Sequence, residues 1–267
     1  DQVIGIETED LTALATSQVQ AFSTLQFQAL SADQMTSLTT SQIRFLSLAQ
    51  ARSLTTDQIE NLTTTQVLSL SVANLQAMTT LQVSSIEAVD FAALLTTQVA
   101  AINVAQLKGV TTLQIAAITT AQVRALTAAQ LKAFTTEQIV AIDADDLGLF
   151  TAAQIQALTG AQLTQLSANQ ITGLESTQLQ SLAAAQVSFL TTNQLASLSA
   201  EQVSYLSTMV LRALTTLQMS SIDASDISSF TTRQIQSLLV TQLKGLTDNQ
   251  FDQLSTMQIR ALTVAQI

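Results

Sequence analysis

The sequence predicts an all-α solenoid of about 33 short capped helices, one per eight-residue repeat, running as a single continuous tract over residues 1–267. Three observations carry that prediction. An apolar residue recurs at every eighth position from Ile6 to Leu262, through 33 octads, with no insertion or deletion. If that residue is position 1, position 5 is Gln in 28 of its 34 occurrences. Position 2 is Thr, Ser, Asn or Asp in 26 of 33, and position 6 is almost always Ile, Leu, Val, Phe or Met. A fixed short period marks units that bury their apolar faces only by stacking on their neighbours.

Other regular structures fail on geometry. In one continuous α-helix, apolar spacings of five and three rotate the stripe by roughly 80° per octad, so no face stays buried. In a continuous strand, the odd spacing puts positions 1 and 6 on opposite faces. A β-solenoid would want Gly-, Asn- and β-branched-rich turns, which are scarce here. One helix per octad fits. The position-2 hydroxyl is an N-cap, the position-5 Gln falls at N3, and together they form a capping box. Positions 1 and 6 are then N′ and N4, the pair that makes a hydrophobic staple. The next cap stops each helix after about six residues, so neither Pro nor Gly is needed as a breaker. Helices this short do not survive alone in water, because nucleation is unfavourable. They must stack on one another, burying positions 1 and 6.

The charges agree with this assignment. Eight of the nine basic residues stand at position 7: Arg44, Arg52, Lys108, Arg124, Lys132, Arg212, Lys244 and Arg260. Acids favour positions 2, 4 and 5. Cations near a helix C-terminus and anions near its N-terminus both suit the helix dipole, and position 7 is expected to be exposed. Position 8 is Ala, Ser or Gly in 26 of 33 octads, including Gly5, Gly109, Gly173 and Gly245, so close backbone approach is expected there. Phe45, Phe189 and Tyr205 occupy this small position and are expected to fill local gaps. Leu95 and Leu239 occupy the N-cap slot, where an apolar residue costs around 1 kcal/mol; a subunit contact is the expected compensation.

Four octads depart from the pattern together, starting at Ile6, Ile86, Ile142 and Ile222. In each, position 2 becomes Asp or Glu and the position-5 Gln becomes Asp. They hold ten of the nineteen acids. The 6→142 and 86→222 offsets are both 136 residues, or 17 octads, and Leu107-Lys108-Gly109 recurs at Leu243-Lys244-Gly245 with the same offset. If the acidic octads share a face, 17 octads make either five turns, of about 3.4 octads each, or seven turns, of about 2.4. Two octads per turn is excluded by the odd spacing of seven. Asp10, Asp90, Asp143, Asp146, Asp223 and Asp226 are the candidate calcium ligands, since carboxylates gathered by stacking could supply a hard cation with oxygen. Against calcium stand the lack of an EF-hand-like loop and the positive helix N-termini beside these acids. Simple capping, or a lateral contact keyed by the acids, is the competing expectation. The Asp145–Asp146 pair is not expected to be catalytic.

Composition excludes whole classes of chemistry. There is no His, Cys, Trp or Pro. His-dependent triads, cysteine nucleophiles, zinc fingers and His- or Cys-ligated haem or iron–sulfur sites are therefore impossible. Charged residues are 10%, against about 25% in an ordinary domain. The net charge of −10 argues against nucleic acid or an anionic membrane surface as a partner. No apolar run approaches the ~18–20 residues of a membrane helix.

Three octads show the motif whole: LTTDQIEN from Leu54, ITTAQVRA from Ile118 and FTTEQIVA from Phe134. The pattern LTTxQ[IV]xAL resembles repeat tracts of very large bacterial secreted and cell-surface proteins of adhesin-like or repeat-in-toxin-like type. That resemblance implies an extracellular or cell-surface structural role, as part of a fibre, stalk or surface layer. No enzyme activity and no cofactor are expected, calcium apart. Asp1 is position 4 of an octad and Ile267 position 6 of another. Continuation in a longer chain, or end-to-end self-association into a homo-oligomer, is therefore expected. The rival expectation is a Thr-rich binding surface matched to ice or to a polysaccharide.

Overall fold

A computed structural model describes residues 2–267. Among these residues the regular structure is entirely helical. A 3-10 turn at Val3–Gly5 precedes thirty-two α-helices of four to six residues, from Thr8–Ala13 to Thr256–Ala261. That is one helix fewer than the octads, because the residues after Leu262 form a turn. Each helix is preceded by an extended cap residue, and position 1 of the next octad returns the chain to extended backbone. In Thr119–Leu126, for example, the cap Thr119 has ψ 157° and Leu126 has ψ 128°, flanking Thr120–Ala125. Two extended residues per octad therefore reverse the chain, and no described residue needs a positive φ.

The chain forms two compact units, Asp1–Phe134 and Thr135–Ile267. Each is a helical repeat solenoid in its own right. In the first unit a helix packs on the third one along: Thr8–Ala13 on Ala32–Ser37, Thr40–Arg44 on Thr64–Ser69, Ala88–Ala93 on Thr112–Ala117. The second unit repeats the rule, with Ala152–Ala157 on Ser176–Ser181 and Thr208–Ala213 on Thr232–Ser237. Hydrogen bonds between turns span 25 residues, as from Gln28 to Ser53, or 28 and 31 residues, as from Gln42 to Leu14 and Leu11. A turn therefore holds between three and four octads. Of the two windings open to the sequence, that of about 3.4 octads is the one observed within each unit.

Positions 1 and 6 line the axis. Val67 and Leu70 in the first unit, and Val203 and Leu206 in the second, are 3% exposed or less. At roughly 25 cal/mol per Å² of apolar surface removed from water, these two columns supply the main favourable term. Position 8 is where turns come closest. A Cβ added to Gly109 would sit 2.2 Å from Thr80 Cγ2 and 2.8 Å from the Thr80 carbonyl oxygen. One superperiod later, a Cβ on Gly245 would meet Thr216 Cγ2 at 1.9 Å, so the 136-residue period is a period of packing as well as of sequence. A Cβ on Gly173 would lie 2.9 Å from the Ala144 carbonyl oxygen, whereas Gly5 has open space around it and departs from the expectation.

The aromatic residues at position 8 correct another expectation. Phe45 and Phe189 are about half exposed instead of filling buried gaps. Phe189 lies over Gly160, whose missing Cβ would otherwise strike the ring at 2.5 Å. It covers a small dent on the surface.

The contrast between two glycines is testable. Gly109→Ala forces the Thr80 backbone to shift and is expected to cost about 1–3 kcal/mol. Gly5→Ala is expected to be neutral within about 0.5 kcal/mol. Urea titration followed by circular dichroism measures both.

Candidate functional site

The most regular polar feature is a column of glutamine side chains at position 5, buried in nearly every turn. Gln114 is representative of the first unit. Its Oε1 accepts from the Thr111 backbone N–H at 2.8 Å, and its own N–H donates to Thr111 Oγ1 at 3.1 Å. These two bonds are the capping box. Its Nε2 does something further. It donates to the carbonyls of Val83 and Ile86, at 2.9 and 2.6 Å, in the preceding turn. In the second unit Gln202 caps Ser199 in the same way and donates to Ile171 and Leu174 at 3.0 and 2.9 Å.

The chemistry explains the choice of residue. A short helix leaves its first N–H groups and last C=O groups without partners. One amide serves both: its oxygen closes the N-terminus of its own helix, and its NH₂ closes the C-terminus of a helix one turn away. Glutamate could form the capping box but has no hydrogen to donate, and lysine has no acceptor. Among buried side-chain atoms of the described residues, none lacks a hydrogen-bond partner.

The exceptions are informative. Leu95 and Leu239 provide no cap hydroxyl, but Gln98 and Gln242 still accept from their backbone N–H at 2.7 and 2.9 Å. The N3 amide, denied its hydroxyl, turns to the cap's own carbonyl at 2.9 Å in both cases. Ala15 and Ala183 are handled alike. The compensation expected from a subunit contact is thus found in the local backbone. Asn74, one methylene shorter than Gln, keeps a single bond to a neighbouring turn, to the Leu46 carbonyl at 2.9 Å. Val210 keeps none and is simply buried.

Aspartate at position 5 removes the donor altogether. In register, Asp90 takes the place from which an amide would reach Ile59 and Leu62, and Asp226 the place facing Leu195 and Leu198. Asp90 is 5% exposed, and its Oδ1 accepts from Thr64 Oγ1 of the neighbouring turn at 2.5 Å. Asp10 is exposed, Asp146 and Asp226 are half-buried, and Asp143 and Asp223 are exposed at cap positions. Asp143 Oδ1 accepts from the Asp145 N–H at 2.9 Å. Asp223 Oδ1 accepts from the Ser225 N–H at 2.8 Å and from Ser225 Oγ at 2.7 Å. These aspartates cap N2, where the Thr and Ser caps take N3, and their helices are only four residues long. Glu7 and Glu87, in the same slot, make no side-chain cap bond at all. Acids at position 2 are therefore not plain substitutes for Thr.

The acids of one octad also differ in proton affinity. The two Ser225 bonds hold the Asp223 carboxyl below its ordinary range. Burial, then the neighbouring Asp223 charge, pushes Asp226 up. The consequences have opposite signs. Asp223 adds stability above its unfolded pKa, and that stability is lost as pH falls through the folded value. Asp226 opposes folding increasingly as pH rises through its own raised value. Among the described residues, no three acidic side chains gather where they could hold one metal ion, so the six calcium candidates remain dispersed.

Open grooves run across successive turns. One in the first unit, of about 370 Å³, joins Thr40–Arg44 to Leu68–Val72 and to Leu95–Gln98. Tyr205, in the second unit, lies in another groove with Glu175 and Glu201. Its hydroxyl donates to Glu201, and its pKa is raised by that bond, by burial, and by the charges of Glu201 and Glu175. Two acids from successive turns thus act on one phenol. The sequence placed each acid in its octad but not beside its neighbour a turn away.

A family description, the ALTTAQ repeat, matches residues 3–40 and 111–141. The chain carries a Thr/Gln-rich octapeptide repeat tract of that kind, as its octads suggested. No curated protein matches it. No helix among the described residues is long and apolar enough to cross a membrane.

Two substitutions test the glutamine column. Gln114→Glu keeps the cap acceptor but turns a carboxylate toward two carbonyls, at an expected cost of about 3–5 kcal/mol at pH 7. Its buried carboxyl would have a raised pKa, so the deficit should shrink as pH falls and the acid regains one donor. Asp226→Gln should instead restore the bonds to Leu195 and Leu198 and stabilise by about 1–2 kcal/mol. That gain should be largest near pH 7 and smallest below pH 4, as read from denaturant midpoints at each pH.

Proposed function

We propose that the chain is a structural, non-enzymatic scaffold: a stretch of a fibre, stalk or surface-layer element on the outside of a bacterial cell. The observation that supports the reading most is the glutamine bridge between turns. Each turn presents the next with the same carbonyls and receives the same amides. Length can therefore be added octad by octad without a new interface, and stability grows with the number of neighbouring turns. The resemblance of LTTxQ[IV]xAL to tracts of large secreted bacterial proteins points to the same role. End-to-end contact between copies, or continuation of the tract, would use the same bridge. No cofactor enters this reading.

The position-2 hydroxyls that a Thr-patterned ice or polysaccharide surface would draw on are turned toward N3 amides, as at Thr111 and Thr119. The scaffold reading therefore takes precedence over a binding face. Immunogold labelling of the source cells tests it. Antibody raised against the chain is expected to decorate filaments or a layer on intact, unpermeabilised cells. Label that appears only after permeabilisation overturns the proposal.

A further inference from the structure

We infer that each unit is electrostatically two-faced and that its faces fit a second copy of this chain, side by side, with the acidic face of one copy against the basic face of the next. The inference deepens the scaffold reading by naming a lateral partner.

The starting point is the turn length. Neighbouring turns are joined by bonds 25 to 31 residues apart. In the first unit Glu7, Asp33, Glu60 and Glu87 follow one another at 26, 27 and 27 residues, so they form an acidic rank along one side. In the second unit Asp146, Glu175, Glu201, Asp226 and Asp252 follow at 29, 26, 25 and 26. Two contacts show directly that this spacing places residues together. Thr64 bonds Asp90 across 26 residues, and the Tyr205 hydroxyl is raised by both Glu201 and Glu175.

The basic residues avoid that side. Taking about 27.2 residues per turn, the acids from Glu7 to Asp90 all fall within about four-tenths of a turn. Arg44, Arg52, Lys108, Arg124 and Lys132 all fall within another, opposite four-tenths. The second unit, taken by itself, divides in the same way. Its ten acids from Glu137 to Asp252 occupy one sector, and Arg212, Arg233, Lys244 and Arg260 the other. All nine bases are exposed, as are most of the acids.

The net charge of −10 would keep copies apart at long range. At about 0.1 M salt, however, the Debye length is ~10 Å. That is comparable to the 8–10 Å between two packed helix axes and shorter than the width of a turn built from three of them. At contact a neighbour therefore feels the facing side and not the net charge. An acidic face meeting a basic one is attractive there, and two like faces repel, so the arrangement also fixes orientation.

Sedimentation velocity on the full chain tests this, independently of where the protein resides. The wild type is expected to self-associate at about 0.1 M NaCl, and at least tenfold more weakly in 1 M NaCl, where the Debye length falls to ~3 Å. Combining Arg212→Glu, Arg233→Glu, Lys244→Glu and Arg260→Glu reverses one face at exposed positions. This variant should retain the helical circular dichroism spectrum and lose at least tenfold in association. A second variant, with Glu60→Lys, Glu87→Lys, Glu175→Lys and Glu201→Lys, should be weakened alone and should associate when mixed with the first. A wild type that is monomeric at both salt concentrations overturns the inference. So does association that is indifferent to salt and to the base reversals, or two folded variants that do not recover association on mixing. Cell-surface labelling with no lateral association would leave the scaffold reading standing and this one refuted.

Discussion

Everything in this molecule depends on one side-chain amide having two ends. A helix of four to six residues has almost no interior, since the four N–H groups at its start and the four C=O groups at its end account for nearly all of its backbone. Such a helix cannot be stabilised by propagation. Its polar ends must be met from outside, and in a buried position water is not available to meet them. Gln at position 5 meets the N-terminus of its own helix and the C-terminus of a helix one turn away. The apolar columns at positions 1 and 6 supply the free energy of stacking, while the amide column supplies its register. If a turn slid by one residue, the leucines could find other leucines, but the Nε2 hydrogens would lose both carbonyls.

The amide bridge also explains why the fold needs so little else. Hydrophobic burial is non-directional, and a stack of short apolar helices held by that alone would have many arrangements of similar energy. A buried polar network that is fully satisfied selects among them, and one left half-satisfied is worse than an apolar substitute. The structure stays on the right side of that line. Where Asn74 shortens the reach, one bond survives; where Val210 removes the amide, an apolar side chain takes its place and leaves no side-chain polar group unpaired. Where Asp90 reverses its chemistry, a threonine from the next turn supplies the missing hydrogen.

The apolar positions, the caps and the helix length could all be read from the octad, because each depends on residues at most six apart. The winding could be read only as two alternatives, because it is set by contacts about 27 residues apart that leave no local trace. The second half of the glutamine's role was hidden for a different reason. The capping box already accounts for Gln at N3, and nothing seemed left over. Yet a capping box admits Glu as readily as Gln, and Glu occurs at none of the 34 position-5 sites. That absence was the available sign that the NH₂ end also has a partner. The apolar caps at Leu95 and Leu239 misled in the opposite direction. They look costly in sequence, but an N3 amide can fall back on the cap carbonyl, a bond that side-chain types do not announce.

The charges separate two causes that coincide within a single octad. Helix dipoles explain why a base stands at position 7 and an acid near position 2, 4 or 5, since each sits at the helix end that favours it. They do not explain which octads carry a charge. Successive octads point in successive directions around the turn, so bases confined to position 7 of randomly chosen octads would be spread all the way round. Arg44 and Arg124 are 80 residues apart, the same interval that separates the acidic octads at Ile6 and Ile86. Each sign therefore returns to its own side after the same number of turns. The dipole acts on one helix at a time and has no reach over ten octads. A constraint that does act over that distance must lie outside the helix, on a surface long enough to count turns. A neighbouring solenoid with the same pitch is such a surface.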